Sequence, residues 1–409
     1  MFFQIAFKNI LRNKRRTLLA EVSIIFGIVV IVFTGALTNG MSWGWATSQI
    51  AEKVGAMQIE HRDYEKEHLF KPLETTLTGS SQLIEEIKEY PGVTAAFGTL
   101  ELDGMISNGS KATTFFGKGI QVSAMKETLP KMERSISKGR PLGESQEEIL
   151  LGPKLAEDLE LELGDTVMVL VQTMKGGLNM SEMIFVGTQR GGDSDYESAH
   201  YVEMHLSAAQ RLMRMPERVS QIVIGFENFE TIKENADRLQ ELLNTNNSVP
   251  LRVKDYTETI PGWEFNGFIS LIGIVVGIVL FIVVGSGIAN TMFMSVMERR
   301  KEIGTIKAIG AEQKHIKRLF ILEGFIISLV GAIAGFILAV FIVIAVDKMG
   351  GVSFPPPPGS SIPITVPTKL DNGISIFAIA LSLVVGILAS YLPAGISARL
   401  DPVVTLREE

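Results

Sequence analysis

Four apolar stretches, each long enough to cross a bilayer as a helix, constrain this chain more than any other feature. They run from about Leu18 to Asn39, Phe268 to Met297, Leu319 to Val346 and Ile374 to Ile396. The first holds one charge, Glu21, and the third one, Glu323, each near its start; the second and fourth hold none. A hydrocarbon core needs roughly 20 residues of helix. Lipid cannot satisfy exposed backbone groups, so helices are expected. The first stretch is read as a retained anchor. Its apolar part exceeds the ~7–15 residues of a signal-peptide core, and no small-x-small cleavage site ends it. Yet 45 acidic and 38 basic residues are too many for a chain wholly in lipid, and most lie between the first and second stretches.

Lys and Arg near the spans set the orientation. Lys8, Arg12, Lys14, Arg15 and Arg16 precede span one without an acid. Seven basic residues against Glu298, Glu302 and Glu312 lie between spans two and three. Only Lys348 and Lys369 lie between spans three and four, balanced by Asp347 and Asp371. Both termini and the 298–318 loop are therefore expected in the cytoplasm. The expected order is a cytoplasmic amphipathic helix (1–17), span one (18–40), an extracytoplasmic domain (41–265) and span two (266–297). A cytoplasmic coupling helix and loop (298–318), span three (319–346), a Pro-rich outer loop (347–373), span four (374–396) and a cytoplasmic tail (397–409) follow. This is a multi-pass α-helical membrane protein, with one transmembrane helix before and three after a large inserted α+β domain.

The outer domain carries 22 basic and 35 acidic residues, which argues against nucleic acid as a partner. Strands are predicted at Met57–Glu60, Val93–Leu102, Thr113–Ile120, Thr166–Gln172, Met183–Gly187 and Gln221–Phe226, on hydrophobic runs and alternation. Helices are predicted at Ser81–Tyr90, Pro153–Leu159, Ser207–Met215 and Phe229–Asn244. Ser207-x-x-Gln210 has the pattern of a capping box. Gly176-Gly177 and Gly191-Gly192 mark turns. No linker divides the region, so one composite domain is expected, with room for two lobes.

Motifs for enzymatic chemistry are missing. No G-x-x-x-x-G-K-[ST] phosphate loop occurs, so these residues do not hydrolyse ATP alone. H-E-x-x-H and G-x-S-x-G are absent too. Zero cysteine excludes thiolate zinc sites and iron–sulfur clusters. His200 and His205 read as surface histidines before they read as metal ligands. No catalytic, cofactor-binding or metal-binding residue is assigned. Gly285-Ser-Gly287, inside span two, reads as a helix-packing site. Glu21 and Glu323 read as interfacial groups paired with nearby basic residues.

Two local patterns remain. In Glu298-Arg-Arg-Lys-Glu-Ile-Gly-Thr-Ile-Lys-Ala-Ile-Gly310, Ile303, Ile306 and Ile309 recur at spacing three and Gly310 supplies a helix stop. A loop that only sets topology needs the positive charges alone. The mixture of signs points to an amphipathic docking helix that carries force from a cytoplasmic partner. Phe3, Ala6, Phe7, Ile10 and Leu11 line one face of a second candidate amphipathic helix, suited to the inner membrane surface.

Asn290–Ala311, with its Met-Glu-Arg-Arg-Lys-Glu-Ile-Gly core, resembles the signature of FtsX-like permeases, the membrane subunits of MacB/Lol-type ABC transporters. Tyr391–Arg407 is similar to that family's closing motif, and Ile5–Leu18 to its opening one. Glu148–Ala156 followed by Leu163-Gly-Asp-Thr166 looks like its periplasmic core domain. Val54–His61 and Phe354-Pro-Pro-Pro-Pro-Gly359 look like the subgroup near lipoprotein-releasing permeases. The resemblance implies a bacterial inner-membrane subunit paired with a second permease, identical or different, over a cytoplasmic ABC ATPase dimer. ATP and magnesium belong to that partner. It also implies mechanotransmission: Glu298, Arg299, Arg300, Lys301, Glu302, Ile303, Gly304, Lys307, Ala308 and Gly310 pass ATPase motion to span two, and cargo moves on the outer side. For a lipoprotein cargo, handed to a periplasmic chaperone or adaptor, an apolar groove is needed in contact with membrane lipid. Met41, Trp43, Trp45, Met57, Trp263, Phe265 and Phe268 are candidates to line it, or to form an ordinary interfacial aromatic belt. Efflux of peptides or drugs, and transmembrane signalling to an outer enzyme, are the alternatives.

Overall fold

The computed structural model describes residues 14–67, 75–130, 136–189, 195–246, 250–260, 262–354 and 364–399. The chain forms two compact units, Trp45–Trp263 and a second made of Met1–Gly44 with Glu264–Glu409. The amphipathic start up to Asn13, the proline run 355–358 and the closing residues from 400 onward lie outside the described residues.

In the Trp45–Trp263 unit the strands are β1 (Met57–His61), β2 (Leu77–Thr78), β3 (Val93–Ser107), β4 (Ala112–Ile120), β5 (Ile136–Gly139) and β6 (Glu148–Leu151). They continue as β7 (Thr166–Gln172), β8 (Leu178–Gln189), β9 (Tyr201–His205), β10 (Arg218–Val219), β11 (Gln221–Phe226) and β12 (Leu251–Asp255). Ten of them form one sheet in the order β12-β1-β11-β3-β4-β9-β6-β8-β5, with β7 pairing both β3 and β8. The pairs β4–β9 and β6–β8 are parallel.

Two large cores fill the unit, beside a smaller one around Phe97, Ile120, Leu150 and Val223. Helices Ser80–Lys88 and Ile232–Asn246 cover one, around Ile59, Ile84, Ile222 and Leu239. The other gathers Leu102, Ile149, Val169, Phe185, Met204 and Leu212. The 15-residue strand β3 feeds both, with Ala96 in the first core and Leu100, Leu102 and Ile106 in the second.

All six strands read from the sequence are present, several of them longer than expected. The helix at Ser207 differs in its start. It begins at Leu206 after His205, without a side-chain cap, and Gln210 Nε2 instead donates to the Arg218 carbonyl at 2.9 Å. The expected capping box is therefore not made: Gln210 is drawn into tertiary contact. Gly176 has φ +81° in the tight turn between β7 and β8, where an L side chain would be strained. Gly191-Gly192 lies outside the described residues.

The carboxylate of Glu203, on β9, is 1% exposed and accepts a hydrogen bond from the Tyr201 hydroxyl at 2.7 Å. Burial pushes its pKa up, against the lowering pull of Lys118 and of hydrogen bonds from Tyr201 and Gln189. The folded state therefore holds this proton more tightly than the unfolded chain. Stability from that source is full below the unfolded carboxylate range and falls as pH rises through the folded value. Glu203→Gln is predicted to raise the thermal midpoint at pH 7.5 and leave it unchanged near pH 4. A lower midpoint at pH 7.5 would contradict the assignment.

The second unit has four helices long and apolar enough to cross a membrane. They are Lys14–Gln49, Glu264–Glu298, Gln313–Lys348 and Asn372–Arg399, called spans one to four below. The first continues as a π-helical turn, Ile50–Val54, so its helix runs well past the expected end at residue 40. Small residues set the packing. A Cβ on Gly324 of span three would overlap Ser390 of span four, and one on Gly386 of span four would overlap Ser328 of span three. Backbones approach closely at such small-residue pairs. Span one packs through Ile24 against Gly331 of span three and through Ile31 against Gly277 of span two. Of the Gly285/Gly287 pair, Gly285 faces Val385 of span four, whereas Gly287 faces open space. Strands β13 (Val352–Phe354) and β14 (Ile364–Val366) form a hairpin between spans three and four.

Candidate coupling site

The segment after span two folds as a discrete helix. Span two ends at Glu298, and Arg299 departs from helical geometry at φ −102°, ψ 16°. A nine-residue helix, Arg300–Ala308, follows. Gly310 closes it at φ +100°, where its N–H reaches the Lys307 carbonyl at 3.0 Å and the Ala311 N–H reaches Ile306 at 3.2 Å. Glycine meets no Cβ penalty in that conformation, which is why it ends helices so often. Glu312 is extended, and span three starts at Gln313, earlier than the hydropathy indicated.

Arg299 is the hub. Its Nη1 donates to Glu323 Oε1 at 3.0 Å, and its Nε donates to Glu302 Oε2 at 3.3 Å. The guanidinium carbon lies 5.7 Å from the Phe320 ring centroid, a cation–π arrangement. The side chains of Arg299 and Glu323 are 8% and 4% exposed. One buried cation thus joins the Arg300–Ala308 helix, through Glu302, to span three, through Glu323 and Phe320. Glu323 is the ionisable residue that interrupts an apolar stretch in the sequence, and its basic partner is Arg299.

The fourth span is tied in as well. Lys307 Nζ donates to the Ala398 carbonyl at 3.0 Å, and Lys317 Nζ lies 3.7 Å from the Tyr391 ring centroid. Ile303 and Gly304 are buried, while Glu298, Lys301, Glu302 and Ala308 are exposed and Arg300 is half-buried. The expected single apolar face is not formed. Ile303 is 4% exposed, but Ile306 is 41% and Ile309 82% exposed. A spacing of three drifts about 60° per step around a helix with 3.6 residues per turn, and Ile309 already lies beyond the helix end. Lys307 and Lys317 were not legible as tethers, because carbonyl and ring partners leave no charge pattern. For Glu21, the nearby basic side chains of residues 14–16 lie outside the described residues.

The aromatic candidates separate. In the outer unit, Trp45 stacks on Trp263 at 5.9 Å between centroids, and Tyr256 meets Trp263 edge-on at 5.3 Å. Met57 is 1% exposed and belongs to the core of the β1–β11–β12 lobe. It is therefore removed from the groove set: its position in β1 points it into the sheet's own core. In the membrane unit, Lys369 sits 5.1 Å from the Trp43 ring centroid, and Met41, Phe265 and Phe268 are exposed. The same unit holds an apolar cavity of about 220 Å³ between spans one, two and four, lined among others by Ile31, Gly35, Ile274, Leu280 and Phe377.

Four apolar helices, a tethered helix between spans two and three, and an inserted α/β domain give the architecture of a multi-pass membrane protein. Residues 17–242 match the MacB-like periplasmic core domain and residues 274–402 the FtsX-like permease C-terminal domain. The first match alone spans more than half of the chain, which therefore belongs to the MacB-like, FtsX-type family of ABC transporter permeases. An ABC transporter permease of Methanocaldococcus jannaschii is 24% identical over 99% of this chain and 97% of its own length. The macrolide export ATP-binding/permease protein MacB of Wolinella succinogenes is 25% identical over 99% of this chain, which spans 60% of that protein. The periplasmic region of MacB from Actinobacillus actinomycetemcomitans aligns with a TM-score of 0.37 and 14% identity, covering 52% of this chain and 96% of that one.

Proposed function

We propose that this chain is the force-transmitting permease of an ATP-driven transporter that takes lipidated or otherwise apolar cargo from the outer leaflet of a bacterial inner membrane. The observation that carries the coupling half is the buried Arg299, bonded to the coupling helix at Glu302 and to span three at Glu323. Motion delivered to Arg300–Ala308 by an ATPase dimer then reaches spans two and three together. The cargo half rests on the apolar cavity between spans one, two and four, which suits an acyl chain better than a charged solute. Removing acyl chains from a bilayer costs about 0.8 kcal/mol per CH₂, so both ATP and an apolar seat are required. Both termini are placed in the cytoplasm, on the distribution of Lys and Arg. The chain works as a pair with a second permease, and a chaperone or adaptor receives the cargo.

Export of a soluble compound is the second reading. It is favoured by relatives named for macrolide export and pyoverdine export. Depletion separates the two. Lipoproteins retained in the inner membrane support extraction, whereas unchanged fractionation with a new drug or siderophore sensitivity supports export. Coupling is tested with Gly304→Pro. Proline inside the helix removes a hydrogen bond and clashes with the preceding turn, at roughly 3 kcal/mol. The variant is predicted to insert normally, to bind the ATPase, and to leave ATP turnover unresponsive to cargo. Wild-type release by the variant would defeat the coupling role.

A further inference from the structure

Span four leaves one face uncovered by its neighbours. Leu388, Tyr391 and Leu392 are all exposed along it. Residues four apart stack on one side of a helix, so Tyr391, Gly395 and Arg399 form a single column. Nothing lies within 4 Å of the Cβ that another residue would place at Gly395. The column therefore has a notch one side chain deep. An exposed aromatic ring stands one turn before it and an exposed guanidinium one turn after.

The charge around this notch is one-sided. Lys317 of span three reaches across to span four, its Nζ 3.7 Å from the centroid of the Tyr391 ring. Arg318 follows it and is exposed. Among the described residues, Lys317, Arg318 and Arg399 have no carboxylate partner. Glu302 and Glu323 are taken by Arg299, and Glu312 by Lys314. Lys317 is half-buried in the groove between the two helices, and a ring face replaces part of its water but none of its counter-charge. The countercharge is left for a ligand to bring. The groove lies at the coupling-helix end of the bundle, where Lys307 meets the Ala398 carbonyl at 3.0 Å. Basic sites between membrane helices at headgroup level suit anionic lipid headgroups. Leu392 and Leu388 carry the same face on toward the bilayer interior, as an apolar track for acyl chains.

We propose that the groove between spans three and four binds one anionic phospholipid from the leaflet on the coupling-helix side. Its phosphate sits in the Gly395 notch between Lys317 and Arg399, and its acyl chains lie along Leu388 and Leu392. The site shares no residue with the apolar cavity between spans one, two and four. It is independent of the cargo reading, and failure of one leaves the other standing.

The test is a thermal-midpoint titration of the full-length protein in a neutral detergent. Dioctanoyl phosphatidylglycerol is the anionic lipid, dioctanoyl phosphatidylcholine the zwitterionic one, and glycerol phosphate the anion without chains. Phosphatidylglycerol is expected to bind at least about tenfold tighter than either of the others, the effect of one charged hydrogen bond. Arg399→Gln should lose about tenfold of that affinity. Lys301→Gln removes another exposed cation at the same end of the bundle and should lose less than about twofold, because a distant exposed charge is screened. Gly395→Leu fills the notch without changing the charge. Its Cβ enters open space and glycine is a poor helix former, so the variant should keep or raise its thermal midpoint. It should also lose about tenfold or more in phosphatidylglycerol affinity. The proposal is overturned if phosphatidylglycerol binds no tighter than phosphatidylcholine or glycerol phosphate, if Arg399→Gln and Lys301→Gln weaken it equally, or if Gly395→Leu binds like the parent.

Discussion

Glu323→Ala is expected to destabilise the membrane unit by up to about 3–5 kcal/mol, because it removes the buried counter-ion of Arg299 and leaves only the partly exposed Glu302. Thermal unfolding of the purified protein in detergent would report this as a large fall in midpoint. The attraction between the two charges is offset by the cost of burying them, so removing both is expected to be far milder than removing one. Arg299→Met with Glu323→Leu should therefore recover most of the midpoint while remaining uncoupled, since the link from Glu302 to span three is gone. Glu302→Gln breaks only the partly exposed side of the hub and should cost less than about 1 kcal/mol. A double variant with normal coupling would show that the pair serves stability alone.

The second large effect is expected at the contact of spans three and four. Gly386→Leu forces a branched side chain into the space occupied by Ser328, with the Gly324 carbonyl 3.2 Å from the new Cβ position. Overpacking a close-packed site costs about 1–3 kcal/mol, and more where backbone must move. Here the obstacle includes backbone, so the variant should lose its monodisperse elution and give little folded protein. Gly287→Ala is the control, since nothing lies within 4 Å of the added Cβ. If both variants purify equally well, the two helices are not held by the small-residue pairs.

The spans and the principal strands were legible because each rests on a local pattern. An uninterrupted apolar run needs no knowledge of its neighbours, and Gln221–Phe226 alternates along its own length. Strands β6 and β9 escaped because all their residues are buried, which erases the alternation. Part of the candidate site was legible: a short helix was expected after span two, and Gly310 marked its end. Its internal geometry was not. Arg299 looks like one more basic residue in a row, and only the fold brings it to Glu323, 24 positions along the chain. Met57 misled for the same reason. Its position in sequence, shortly after an apolar stretch, said nothing about the sheet that encloses it.

The two ends of the outer domain meet. Trp45 stacks on Trp263, and β1 pairs with β12 so that Met57 lies opposite Asp255. The entropy of closing a flexible loop grows with its length, but a folded insert whose ends already touch has met that cost within itself. As an insertion in the chain, the folded domain then carries about the closure entropy of a short turn. Such an architecture lets one domain be exchanged for another of different size without re-engineering the bundle, provided that the replacement brings its own ends together. Chimaeras should therefore be cut at this aromatic clasp.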